Sequence, residues 1–165
     1  LDVFCLAALY LLRVVAGGLS SGSHASVWLL NFSGFLFLSL GFLKRYTEMS
    51  RSGTDAPAAG SHRGYASADA PALGMMGIGS SLVSSVILAL YVNSTQAYSY
   101  YRTPTLLWGV VPLIQFWQCR MWLAAIRGQM TDDPIIFASR DRVSYAVAAA
   151  TAFIYILASM DWSLS

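Results

Sequence analysis

The sequence predicts an all-α, polytopic transmembrane helix bundle, and three observations carry that expectation. Hydrophobic residues make up 56% of the 165, and charged residues only 11%, against about 25% charge in a typical soluble domain. Mean hydropathy is +0.57. The charges are clustered, with seven between Lys44 and Asp69 and seven more between Arg120 and Arg142. Aromatic residues at 13% argue against disorder, and a net charge of +2 argues against a nucleic-acid partner.

The gaps between charges supply five apolar stretches near the length of about 20 residues that a bilayer-spanning helix needs: 3–19, 27–43, 73–93, 105–123 and 143–160. The first is interrupted by Arg13, a costly charge that by default is functional or buried against a partner. Asn31 and Gln115 are weaker polar candidates of the same kind. The second and fifth stretches carry no charge. The third opens Gly74-Met75-Met76-Gly77-Ile78-Gly79-Ser80, with small residues spaced for close helix approach. Trp28, Tyr91, Trp108, Trp122 and Trp162 fall near stretch ends, where an interfacial aromatic belt would lie. The alternation of a membrane barrel is absent, so helices are expected throughout.

Two stretches separate the charged loops 44–72 and 124–142, so both loops lie on one side. The two charge clusters, Lys44 to Asp69 and Arg120 to Arg142, hold eight of the ten Lys and Arg residues, which makes that side cytoplasmic by the positive-inside rule. The expectation is a multi-pass protein of the cell's inner (plasma) membrane with its C-terminus outside. The chain opens Leu1-Asp2-Val3 without an initiator Met, and reads as part of something longer.

Two segments carry candidate chemistry. At the end of the second stretch, Lys44 and Glu48 share one helix face at i, i+4, beside Arg45 and Tyr46. They read either as a plain cytoplasmic anchor or as a cationic rim for a phosphorylated group. In the second loop, Asp133 before Pro134 is a good helix start. Asp132 and Asp141 give three carboxylates there, able to hold a divalent cation or to pair with Arg127, Arg140 and Arg142. Cys5 and Cys119 lie in apolar runs, His24 and His62 on opposite sides, and no P-loop, CxxC, GxSxG or HExxH motif occurs.

An ordered set of segments resembles the UbiA-type intramembrane prenyltransferases, specifically the branch related to decaprenyl-phosphate phosphoribosyltransferase. It comprises the run from Leu1 through Arg13 to Gly18, the run from Trp28 to Leu40, and Lys44-Arg45-Tyr46-Thr47-Glu48. Arg63-Gly64-Tyr65, Tyr91-Val92-Asn93-Ser94, Leu107-Trp108, Arg127-Gly128, Asp132-Asp133-Pro134, Phe137-Ala138 and Arg140-Asp141-Arg142 continue it over nearly the whole chain. The resemblance implies a nine-helix bundle of which residues 1–165 are the C-terminal part. The N-terminal half would be a partner segment, with the main Mg²⁺ ligands in it and, in some relatives, a phosphatase-like domain upstream.

The implied function is a membrane transferase of cell-wall biosynthesis acting on a polyprenyl lipid. Phosphoribosyl transfer to polyprenyl phosphate, with loss of diphosphate, is the leading expectation. The alternatives are prenyl transfer from a polyprenyl diphosphate to an aromatic acceptor, and a non-catalytic lipid-binding bundle. Implied phosphate or metal-shell contacts are Lys44, Arg45 and Glu48, the last as a metal ligand. Tyr46, Arg63, Arg13, Asp132 and Asp133 are implied substrate contacts. Where the family's second motif has several aspartates this sequence has Lys44-Arg45-Tyr46-Thr47-Glu48, so fixed cations would replace part of the metal's work on phosphate.

Overall fold

A computed structural model describes residues 2–20, 26–52, 67–130 and 133–160. The described residues form seven α-helices and no strand: α1 (Asp2–Ser20), α2 (Val27–Ser52), α3 (Ala70–Val92), α4 (Thr95–Tyr100), α5 (Val110–Ile126), α6 (Pro134–Arg140) and α7 (Arg142–Ser159). Tight 3₁₀ turns at Ser67–Asp69 and Pro104–Gly109 lead into α3 and α5. Three helices are long and apolar enough to cross a membrane: Val27–Ser50 within α2, α3 and α7.

Local chemistry sets the helix ends. The Asp133 carboxylate accepts from the Ile135 N–H at 3.1 Å with Pro134 in the first turn, so α6 starts where Asp-Pro predicts. Asp141 does the same for α7, accepting from the Ser144 N–H at 2.8 Å. Gly128, at φ +68°, turns the chain off α5 as its N–H bonds the Ala125 carbonyl and that of Gln129 bonds Ala124.

The apolar stretches become long helices with three shifts of boundary. Residues 44–52, expected in a loop, continue α2 to Ser52 because nothing between Leu43 and Ser52 breaks a helix. The stretch 105–123 is divided, since Pro104 and Pro112 favour a 3₁₀ entry before the 17-residue α5. The short helices α4 and α6 lie in what read as connections. Trp122, expected in an aromatic belt, is instead 4% exposed and sits in the core.

Packing runs inside-out relative to a soluble protein. The buried residues of α3 are largely small or polar: Gly74, Gly77, Ser80, Ser81, Ser84 and Ser85. Its exposed residues are bulky and apolar, among them Met75, Met76, Leu82, Val86 and Leu90. Small residues allow close backbone approach where lipid leaves no hydrophobic drive between helices. Their hydroxyls then bond inward: Gln118 on α5 donates to Ser84 Oγ at 2.7 Å and accepts from Ser85 Oγ at 3.2 Å. Trp122 donates to Ser39 Oγ on α2 at 3.1 Å.

Two clusters mark the bundle's ends. Val3, Phe42, Leu43, Leu73, Met121 and Trp122 pack at one. Leu88, Val92, Leu107, Val110 and Ala158 pack at the other, where the Arg102 and Thr103 N–H groups bond the Ala158 carbonyl. The first end brings together the start of α1, the ends of α2 and α5, and the start of α3.

A Cβ added at Gly77 would lie 2.1 Å from the Trp122 ring and 2.8 Å from Phe42 Cβ, whereas one at Gly79 meets nothing within 4 Å. Gly77→Ala should therefore destabilise the bundle by about 1–3 kcal/mol through overpacking, and Gly79→Ala should not. Thermal unfolding of both variants in detergent checks the pair.

Candidate functional site

The charged residues at the first end are tied across elements. Lys44 near the end of α2 donates to Asp133 at the start of α6, Nζ to Oδ2 at 2.6 Å. Arg45, whose side chain is only 7% exposed, is held between Asp2 of α1 and Glu48 of α2. Arg120 on α5 grips Asp141 with both ends of its guanidinium, at 2.5 and 3.0 Å. Asp141 also accepts from Ser144 Oγ at 2.9 Å, and that hydroxyl accepts from Trp117 Nε1 at 2.9 Å.

This wiring differs from the spacing-based expectation in three ways. Lys44 takes Asp133, 89 positions away, and Glu48 turns to Arg45 at i−3. Asp133 and Asp141 are met by Lys44 and Arg120 rather than by the nearer arginines Arg127, Arg140 and Arg142. Arg13 is exposed on α1 instead of buried, its guanidinium 5.4 Å from the Tyr10 ring. Such a contact is a cation–π interaction, and Tyr10 itself stacks on Phe37 at 5.3 Å.

A narrow cleft runs from this charged end between α1, α2 and α6. Leu6, Tyr10, Phe37, Leu40, Lys44 and Ile135 line it, with Asp133 at the Lys44 end. Its walls are apolar, its head is an ion pair, and its volume of about 20 Å³ is room for about one water. Gly41 brings α1 and α2 together alongside it: a Cβ there would lie 3.0 Å from Val3 Cγ1. Tyr46 lies half-buried with its ring edge-on to Trp122 at 5.9 Å and against Gly74, away from that cleft's lining. Arg63 and Asp132 lie outside the described residues.

The described residues do not fit a Mg²⁺ cage. No group of three or more His, Cys, Asp or Glu gathers among them, and Glu48 and Asp2 are both taken up by Arg45. Sequence reasoning missed Asp2, Arg120 and Gln118. Asp2 was noted only as part of the chain's opening, and Gln115 was singled out although Gln118 carries the buried hydrogen bonds. The serine pairs Ser80-Ser81 and Ser84-Ser85, four residues apart, were the available signal for a polar face on α3.

Burial raises the Asp133 carboxyl, but the Lys44 hydrogen bond, the Ile135 N–H and the Lys44 charge outweigh it and hold the group below the usual carboxylate range. Asp141 is likewise pushed up by burial and brought down further by Arg120 and by the Ser144 hydroxyl and N–H. Carboxyls lowered on folding contribute stability in full above their unfolded value of about 4, and lose it as pH falls through the folded value. Asp141→Ala, which removes both cap and ion pair, should cost about 1–2 kcal/mol at pH 7. It should also flatten the acid decline in Tm below pH 4, read by a series of melts across that range.

No protein-family model matches the chain, and no solved structure does. It is similar to uncharacterized protein y4nM of Sinorhizobium fredii, 34% identical over 160 residues that cover 96% of this chain and 31% of that protein. It is also similar to nodulation protein NoeC of Azorhizobium caulinodans, 28% identical over 144 residues, covering 86% of this chain and 46% of that protein. The chain thus spans between about a third and a half of the length of these curated relatives.

Proposed function

We propose that the chain forms part of a membrane transferase acting on a polyprenyl lipid, transferring a phosphoribosyl group to polyprenyl phosphate. One observation carries the reading: Lys44, paired with Asp133, heads an apolar cleft between long apolar helices. The segment resemblance supports it, as does an apolar outer surface of the kind a bilayer covers. On this reading α1 and α5 cross the bilayer with α2, α3 and α7, and the charged end lies in the cytoplasm. A place for the chain in nodulation, the process named for one relative, belongs to the same proposal.

In the proposed reaction a phosphate oxygen of the lipid attacks the anomeric carbon of phosphoribosyl diphosphate. The new C–O bond forms as the bond to diphosphate breaks, and diphosphate departs with the bonding electrons. The lysine ammonium has three donors, so Lys44 can keep Asp133 and still contact a phosphate. Its charge then favours the transition state, in which negative charge builds on the leaving group. Arg45, enclosed by two carboxylates, acts as a positioning residue that holds α1 against α2. No step in this scheme runs through a metal.

Lys44→Ala in the full-length protein should lower turnover about 100-fold, the usual scale for losing one charge-stabilising donor, while membrane insertion stays intact. Lys44→Arg should recover part of the loss. Transfer of label from radiolabelled phosphoribosyl diphosphate to polyprenyl phosphate in membranes measures both. Undiminished transfer by Lys44→Ala would overturn the role.

A further inference from the structure

A second, wider cleft lies between α5 and α6. It has a volume of about 320 Å³ and is lined by Phe116, Arg120, Leu123, Arg127, Gln129 and Phe137, with Cys119 in its wall. It shares no lining residue with the Lys44 cleft: Asp133, Pro134 and Ile135 line that one, and Phe137 this one. The proposed transfer does not use it.

Apolar and cationic side chains alternate along it. Phe116, Arg120, Leu123 and Arg127 recur at intervals of three and four, so they form a single stripe on α5. Phe116 (55% exposed) and Leu123 (48%) face outward, with Arg120 between them along the helix. The cleft's polar side chains are two guanidiniums, one on either side of Leu123, and the Gln129 amide. Arg120 is held in place by Asp141, which takes two of its N–H groups and leaves three of the five that a guanidinium carries. That fixed fork needs little further ordering to meet an anion. Arg127, exposed at the end of α5, offsets the partial negative charge of a helix C-terminus.

We propose that this cleft seats the phosphate headgroup of an anionic membrane lipid between Arg120 and Arg127, with the lipid's apolar part against Leu123 and Phe116. An anion alone would use only the guanidiniums and gain nothing from the apolar wall, whereas a lipid phosphate uses both. The position suits it: the stripe passes from the apolar outer surface of α5 to the charged end of the bundle, the step a bilayer makes from chains to headgroups.

Cys119 in the cleft wall is exposed and offers a local readout. The full-length protein in neutral detergent is treated with a water-soluble maleimide, and modification of Cys119 is followed by peptide mass spectrometry. Added phosphatidylglycerol should slow that modification about tenfold, the scale of one hydrogen-bonded charge contact. Phosphatidylcholine or inorganic phosphate should leave it unchanged. Arg127→Gln should abolish the protection without altering the rate in detergent alone, which shows the fold intact. Protection that survives Arg127→Gln would overturn the proposal. So would equal protection by phosphatidylcholine, which would mean chain binding only, or by inorganic phosphate, which would mean an anion site without a lipid.

Discussion

Burying Arg45 at the end of α2 obliges carboxylates to come to it, and much of the charged end follows from that obligation. A guanidinium cannot be neutralised by losing its proton, so a nearly enclosed one needs anions beside it. Glu48 is supplied by the same helix, and Asp2 by the first turn of α1. The second of these fixes the start of α1 against the end of α2, and so sets the height at which Val3 meets Gly41 and Phe4 meets Phe42. With α1 and α2 aligned, Tyr10, Phe37 and Lys44 fall along one cleft. Removing either carboxylate would leave a half-compensated charge, which costs far more than the pair itself contributes.

The interior away from that end is held differently. Lipid-facing helices gain little from apolar contact with one another, so α3 approaches α2 and α5 through glycine and serine and is secured by hydrogen bonds. Ser84 shows the economy of the arrangement. Its hydroxyl donates to the Ser81 carbonyl within its own helix and accepts from Gln118 of the next. One small side chain therefore satisfies two polar needs in a setting where water is not on hand to meet either.

The long helices were legible from the sequence because the charge gaps are wide and the apolar runs continuous. The close approach of α3 was legible in Gly74 and Gly77, which meet Tyr46 and Trp122. Cap residues were legible too, since Asp133-Pro134 states a helix start in local chemistry alone. Pairing was not. Lys44 and Asp133 are 89 positions apart, and Arg120 and Asp141 are 21 apart with a turn and a helix between them. Spacing rules favour the nearest opposite charge on one helix face, and they cannot register which helix ends the bundle brings together. Trp122 was misplaced for a related reason: a tryptophan near a helix end suits a membrane interface or a buried crossing equally well by sequence. Only the glycine opposite distinguishes the two.

The two anchored aspartates at either end of α6 have a consequence for how this region can vary. Asp133 is fixed to α2 through Lys44, and Asp141 to α5 through Arg120. The seven residues of α6 between them are therefore a spacer of set length, about 10 Å at 1.5 Å per residue. Exposed side chains along it, such as Ile136 and Ser139, can be exchanged, but the number of residues cannot. A single inserted or deleted residue would swing the second aspartate by about 100° around the helix axis, parting it from Arg120 and uncapping α7. Among homologous chains, this segment should vary in composition while holding its length.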